Sequence, residues 1–352
     1  MIKLNKLIKI LAILLFSLTS NTVNSQSDNV SSEERVGQAG AYELLINPWA
    51  RSSGLASSNT ASVRGIESVF MNVAGLTGTN STQVIFSHAS WFADISISSF
   101  AVGQKVGDTG VMGISFMSLD FGEIERTTVQ NPNGGLGTFS PQFMNLGVSY
   151  AKKFTDRISG GVTLRLISES AADIAANGFS FDTGIHYETG SRNQAKFGIA
   201  LKNIGTGMSF NGDGDDITLM GENYESTFEI RSDMFELPAL LHIGGSYDFL
   251  LTDDHSVMLC LNYTSNSFSK DQILFGTEYS FKDYLSLRFG YNFEDGIMNE
   301  FNDGRTTAFT GISSGFSFQV PFSGESSFSL DYSFRAASPL SSVHTIGATI
   351  DL

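Results

Sequence analysis

Cysteine, proline, charge and long apolar runs are all scarce in this chain of 352 residues. The single cysteine, Cys260, rules out an intrachain disulfide. A secreted fold of this size must then rest on a large core or sit in a membrane. Charged residues make up only 16%, against about 25% in an average soluble domain. After residue 18 no apolar stretch is long enough to span a bilayer as a helix, so no transmembrane helix is expected. Basic residues are outnumbered 21 to 36 by acidic ones. Setting aside Lys3, Lys6 and Lys9 leaves 18 against 36, which excludes nucleic acid as a partner because nothing would neutralise its phosphates.

What is present begins at the N-terminus. Those three lysines give a positive n-region, and Ile8 to Leu18 is an almost unbroken apolar run of about 11 residues, too short to cross a membrane. Val23 and Ser25 then offer small residues for cleavage before Gln26. This pattern predicts a signal peptide over 1–25, followed by a polar tail over 26–40. Glycine (36) and phenylalanine (29) are abundant while proline is rare (6), a balance that favours β-structure.

Alternation is the dominant pattern. From Leu285 to Phe293, leucine, phenylalanine and tyrosine occupy every second position, with Ser286, Arg288, Gly290 and Asn292 between them. Phe328, Leu330, Tyr332 and Phe334 alternate in the same way with Ser329, Asp331, Ser333 and Arg335. A period of two gives a strand with one apolar and one polar face. The runs are about 9–13 residues long, the length that crosses a bilayer at a tilt. About fourteen such strands fit between 81 and 351. Short turns, such as Val106 to Thr109, alternate with longer connections near 120–141, 169–177, 204–236, 265–271, 294–306 and 336–341. This layout predicts an all-β fold, a transmembrane antiparallel barrel over 79–352 with short turns inside the cell envelope and long loops outside. Residues 41–78 do not alternate and are rich in Ala, Ser and Gly. They are expected to form a short plug on the periplasmic side.

The motifs for chemistry fail on context. Gly311-Ile-Ser-Ser-Gly315 matches a nucleophile elbow but lies inside an alternating strand. Asn211, Asp213, Asp215 and Glu222 partly match a calcium loop, yet Asp216 stands where the sharp turn needs glycine. No histidine pair has zinc-ligand spacing. Neither an enzyme nor a cofactor is expected. The inward charges Arg165, Asp182, His186, Lys202, Glu278, Arg288, Asp331 and Arg335 are of both signs. They suit a network that braces the barrel and holds the plug, with Cys260 a buried thiol beside them.

Two segments carry a resemblance. Gly54 to Leu76, ending Asn72-Val73-Ala74-Gly75-Leu76, resembles the N-terminal signature of FadL-like outer-membrane proteins, with Val73 where that signature has proline. Leu44 to Gly54, including Ala50-Arg51, and Glu236-Leu237-Pro238 resemble the PorV/PorQ family. The resemblance implies a FadL-like barrel of fourteen strands whose plug centres on Asn72, Ala74, Gly75 and Leu76. It also implies a part in type IX secretion, in which PorV joins the translocon and carries cargo to the attachment machinery. The expected partners are then translocon or attachment-complex proteins, secreted cargo and outer-membrane lipid. Leu219, Met220, Phe228, Met234 and Phe235 would form the docking loop. The alternative is a FadL-like transporter of hydrophobic small molecules, for which Phe121, Leu136, Phe139, Met208 and Phe210 would line a pocket.

Overall fold

The computed structural model describes residues 35, 37–212, 217–221, 224–228, 232–282, 284–300, 305–323 and 326–352. The expected signal peptide lies outside them, as do Asp213, Asp215 and Glu222 of the calcium-loop reading. The strands are β1 (Thr82–Ser90), β2 (Ser96–Val106), β3 (Gly110–Asp120), β4 (Ile124–Glu125), β5 (Thr138–Phe139), β6 (Gln142–Lys153), β7 (Ile158–Ala171), β8 (Ile174–Thr189) and β9 (Ala195–Gly205). They continue as β10 (Ile217–Met220), β11 (Glu225–Phe228), β12 (Leu240–Thr252), β13 (His255–Asn266), β14 (Gln272–Phe281), β15 (Leu285–Glu294), β16 (Phe309–Ser323), β17 (Ser326–Ala337) and β18 (Val343–Asp351). Fourteen of them form one closed antiparallel barrel, sealed where β1 pairs with β18. The short pairs β4–β5 and β10–β11 decorate the long loops.

Alternation sorts the faces as expected. On β15, Leu287, Phe289 and Phe293 are exposed on the outer wall while Arg288 is buried in the lumen. On β17, Leu330 faces out and Asp331 in. A wall whose exposed residues include Ile114, Leu166, Ile199, Phe318 and Ile346 would be insoluble in water and is matched to hydrocarbon. One connection departs from expectation. β7 and β8 run on to Ala171 and Ile174 and leave a two-residue turn in place of the loop over 169–177. Ala172 takes the left-handed conformation that such a turn requires.

The core is inside the barrel. Trp49, Ile66, Phe70 and Leu76 of the 41–78 segment pack against Ile97, Met117 and Leu119 of the wall. A second cluster joins Ala41 and Leu44 to Ile167, Met208 and Leu237. Each such large side chain contributes roughly 1.5–3 kcal/mol on burial. The plug is therefore held by hydrophobic packing as well as by polar bonds.

Candidate functional site: a vestibule above a lumen plug

The plug is a chain of single helical turns over Tyr42–Leu45, Ala50–Gly54, Ile66–Phe70 and Val73–Gly78. Expected at the short-turn end, it runs the whole depth of the lumen. Its first residues line the mouth at the long-loop end, and its last feed β1 at the other. It fits because the wall withdraws. Inward glycines recur on neighbouring strands at mid-depth, among them the cross-strand pairs Gly161/Gly184, Gly198/Gly244 and Gly276/Gly290. A Cβ on Gly184 would lie 2.0 Å from Asn72 Oδ1, and one on Gly276 would lie 2.1 Å from Ser58 Oγ. A Cβ on Gly198 would lie 2.5 Å from the Thr60 carbonyl oxygen and one on Gly161 3.0 Å from that of Val73, so there plug backbone meets wall backbone directly.

Asn72 is the pivot of the expected motif. Its Oδ1 accepts from the Ala74 N–H at 3.2 Å, and its amide donates to the Thr60 carbonyl at 3.0 Å and the Ile185 carbonyl at 3.2 Å. Gly75 has no space for a side chain beside the Val63 carbonyl, and Leu76 is fully buried. The wall supplies donors for carbonyls the short turns leave open. Arg165 donates to Val69 O (3.2 Å), Lys202 to Phe70 O (2.6 Å) and His186 Nε2 to Thr60 O (2.7 Å).

The charges expected as one network form two. Near the plug's Val69, Arg165 pairs with Asp182 at 3.1 Å, and Asp182 also accepts from the Asn203 N–H at 2.7 Å. On the opposite wall, Glu278 accepts from Arg288, which donates to Ser317, and Ser317 donates to Asp331. Arg51 of the plug closes that chain on Asp331 at 2.8 Å. Arg335 belongs to neither. It sits near the long-loop end of β17, where its strand neighbours are Ser313 and Val343. Removing Asp331, whose carboxylate is almost fully buried, strands Arg51 and leaves Ser317 without its acceptor. Asp331→Ala is expected to cost about 3–5 kcal/mol. A lowered temperature of heat-induced mobility shift on a gel would report it; an unchanged temperature would contradict the bracing role.

Two cavities flank the plug. The larger, about 980 Å³, is a vestibule at the long-loop mouth. The smaller, about 310 Å³, lies at the short-turn mouth among Arg51, Arg64, Lys196, Asp248, Glu278 and Arg288. The vestibule has two contrasting sides. Trp91, Phe121, Phe143 and Phe309 make an aromatic side, with Phe121 edge-on to Phe143 at 4.8 Å and Trp91 edge-on to Phe309 at 5.7 Å. Lys202, His242, Thr264 and Asn266 make a polar one. Of the residues expected to line a pocket, only Phe121 does so. Met208 is buried in the second core cluster with Phe210 against it, Phe139 lies under Arg126, and Leu136 is exposed. Trp91, Phe143 and Phe309 were missed because each lies at a strand end, where an aromatic reads as part of the interfacial belt.

Glu43 enters the vestibule floor from the plug and faces Glu169 of β7. Burial, reinforced by the charge of Glu169 and opposed by that of Arg165, pushes the Glu43 carboxyl up to about 8 from 4.5. A folded-state value above the unfolded one means that the docked state holds the extra proton. Docking of the plug head is then strongest below pH 4.5 and weakens as pH rises toward 8. Protection factors over 41–47, in which the base-catalysed intrinsic exchange rate is divided out, are expected to be lower at pH 8.5 than at pH 5, and Glu43→Gln is expected to flatten that dependence. Equal pH dependence in the variant would contradict the assignment.

The remaining expectations also find their places. Leu219, Met220 and Phe228 are exposed on the β10–β11 hairpin, and Met234 is exposed beside it. Phe235 instead turns inward against Phe210 and covers Gly40. Asn211 is tied by backbone bonds to Ala175. Ser313 of the Gly311–Gly315 motif is buried in β16 and donates to the Gly54 carbonyl, so it is no exposed nucleophile. Cys260 is buried, its Sγ 3.3 Å from Ser62 Oγ of the plug.

No protein-family model and no curated protein matches the chain. Solved structures do. The toluene transporter TodX of Pseudomonas putida aligns with a TM-score of 0.57 at 12% identity, over 87% of this chain and 97% of its own. The CymD monoaromatic hydrocarbon channel aligns at 0.54 and 16% identity, over 87% and 97%. A FadL homologue of Pseudomonas aeruginosa aligns at 0.51 and 11% identity, over 86% and 98%. At such identities the likeness speaks for architecture alone. The chain has the fold of FadL-like channels, a closed barrel of fourteen antiparallel strands.

Proposed function

We propose that the chain is an outer-membrane channel for hydrophobic small molecules, with residues 41–78 as its closure. The observation that carries this reading is the aromatic side of the vestibule, set directly above the plug. A cavity of this size, apolar on one side and bearing a few polar groups on the other, is the usual form of a small-molecule site. The signal-peptide pattern and the apolar outer wall support placement in the outer membrane. Two of the similar structures are named as a monoaromatic hydrocarbon channel and a toluene transporter. Uptake of labelled toluene by whole cells carrying the chain should exceed that of cells from which its gene is deleted. Equal uptake would sink the reading.

A second reading, a PorV/PorQ role in protein export, draws on the exposed apolar hairpin. Leu219 and Met220 of β10 and Phe228 of β11 present a surface that a partner protein would cover. Deleting the gene separates the two. Loss of secreted proteins with intact hydrocarbon uptake favours export, and the converse favours the channel.

A further inference from the structure

Arg335 differs from the other arginines of the lumen. Arg51, Arg64, Arg165 and Arg288 each pair with a carboxylate. Arg305 spends its donors on the Thr307, Ala308 and Phe309 carbonyls, each at 2.8 Å. Among the described residues nothing accepts a hydrogen bond from Arg335. It is half-buried, lines the vestibule, and lies over the Phe309 ring with Cζ 3.8 Å from the centroid. Phe309 in turn packs against Trp91 and is held in place by the Arg305 clasp on its backbone.

A guanidinium carries five N–H donors in a fork that matches a carboxylate. Stacking on a ring restrains that fork without satisfying its donors. Of the carboxylates in the same mouth, Glu294 is already engaged by Gln272 and Thr306, and Glu43 and Glu169 face one another. Beside the arginine lies an aromatic surface, and around both lies an open cavity of about 980 Å³.

We propose that Arg335 is a docking point for the carboxylate of an aromatic acid, whose ring is received by Trp91 and Phe309. The assignment rests on the channel reading above and narrows it, adding an aromatic anion to neutral hydrocarbons as cargo. Arg335 gives such an acid an ionic anchor that a hydrocarbon cannot use.

Calorimetric titration of the purified full chain in detergent, with phenylacetate and with toluene, tests this. Phenylacetate is expected to bind, and Arg335→Gln to weaken it roughly tenfold or more, the range of a charged hydrogen bond lost. Toluene binding should be the same in both proteins. Equal phenylacetate binding by wild type and Arg335→Gln overturns the proposal, and so does binding of toluene alone, which leaves the channel reading standing. If neither is bound, both readings fall. Should Arg335→Gln not fold to a heat-modifiable barrel, Arg335→Lys carries the test. It keeps the charge but not the fork; weaker phenylacetate binding is expected, and unchanged binding overturns the proposal.

Discussion

Replacing Gly184 by leucine is expected to unseat the plug while leaving the barrel closed. The new Cβ would fall 2.0 Å from Asn72 Oδ1 and 3.4 Å from the Val73 nitrogen. Asn72 cannot retreat without losing its bonds to Thr60, Ile185 and Ala74. Overpacking of this kind costs about 1–3 kcal/mol, and each lost bond adds about 1 kcal/mol. A combined loss of about 4–6 kcal/mol raises the undocked population on the order of a thousandfold or more. Ion conductance of the reconstituted variant should rise accordingly, and exchange over 60–76 should accelerate. Gly245→Ala is the control, because a Cβ there meets nothing closer than 3.9 Å. A Gly184→Leu barrel as tight as the control would show that the glycines are not what seats the plug.

Tethering the plug is expected to have the opposite effect. Ser62 Oγ and Cys260 Sγ are 3.3 Å apart, one on the plug and one on β13. Ser62→Cys places a second thiol beside the native one, close enough to form a disulfide after a small adjustment. Under oxidation, hydrocarbon uptake by whole cells should fall to the level of cells lacking the gene, and a reductant should restore it. The same substitution with Cys260→Ser should be insensitive to oxidant. Uptake that survives oxidation would mean that cargo passes without movement of the plug at this depth.

The barrel was legible because a membrane wall separates its two faces strictly. Leu287 and Arg288 differ by one position and by their solvent, so the alternation in β15 left little ambiguity. Strand ends were less legible where loops intrude. β12 starts at Leu240 rather than at Leu237, because Leu237 packs into the second core cluster and the Pro238 carbonyl accepts from Asn203. β16 starts at Phe309 because the Arg305 side chain occupies the preceding carbonyls. The plug was visible as a break in alternation, but its depth was not. That depends on inward glycines such as Gly276 and Gly290, which in isolation read as bulges or turns. Arg335 read as one more lumen charge. Its solitude depends on what stands across from it, and strand register is needed to know that Ser313 and Val343 do.

The path of the first described residues bears on assembly. Arg35 is paired with Glu236, and the Gly40 N–H donates to the Glu236 carbonyl, beside the long-loop mouth. From there the chain descends through the lumen and leaves at the opposite mouth as β1. A segment anchored at one rim and continuous with the wall at the other resists threading into a finished cylinder. The seam between β1 and β18 joins the earliest and latest strands of the barrel. The sheet must therefore wrap around its own leading segment, and the seam must be the last joint to close.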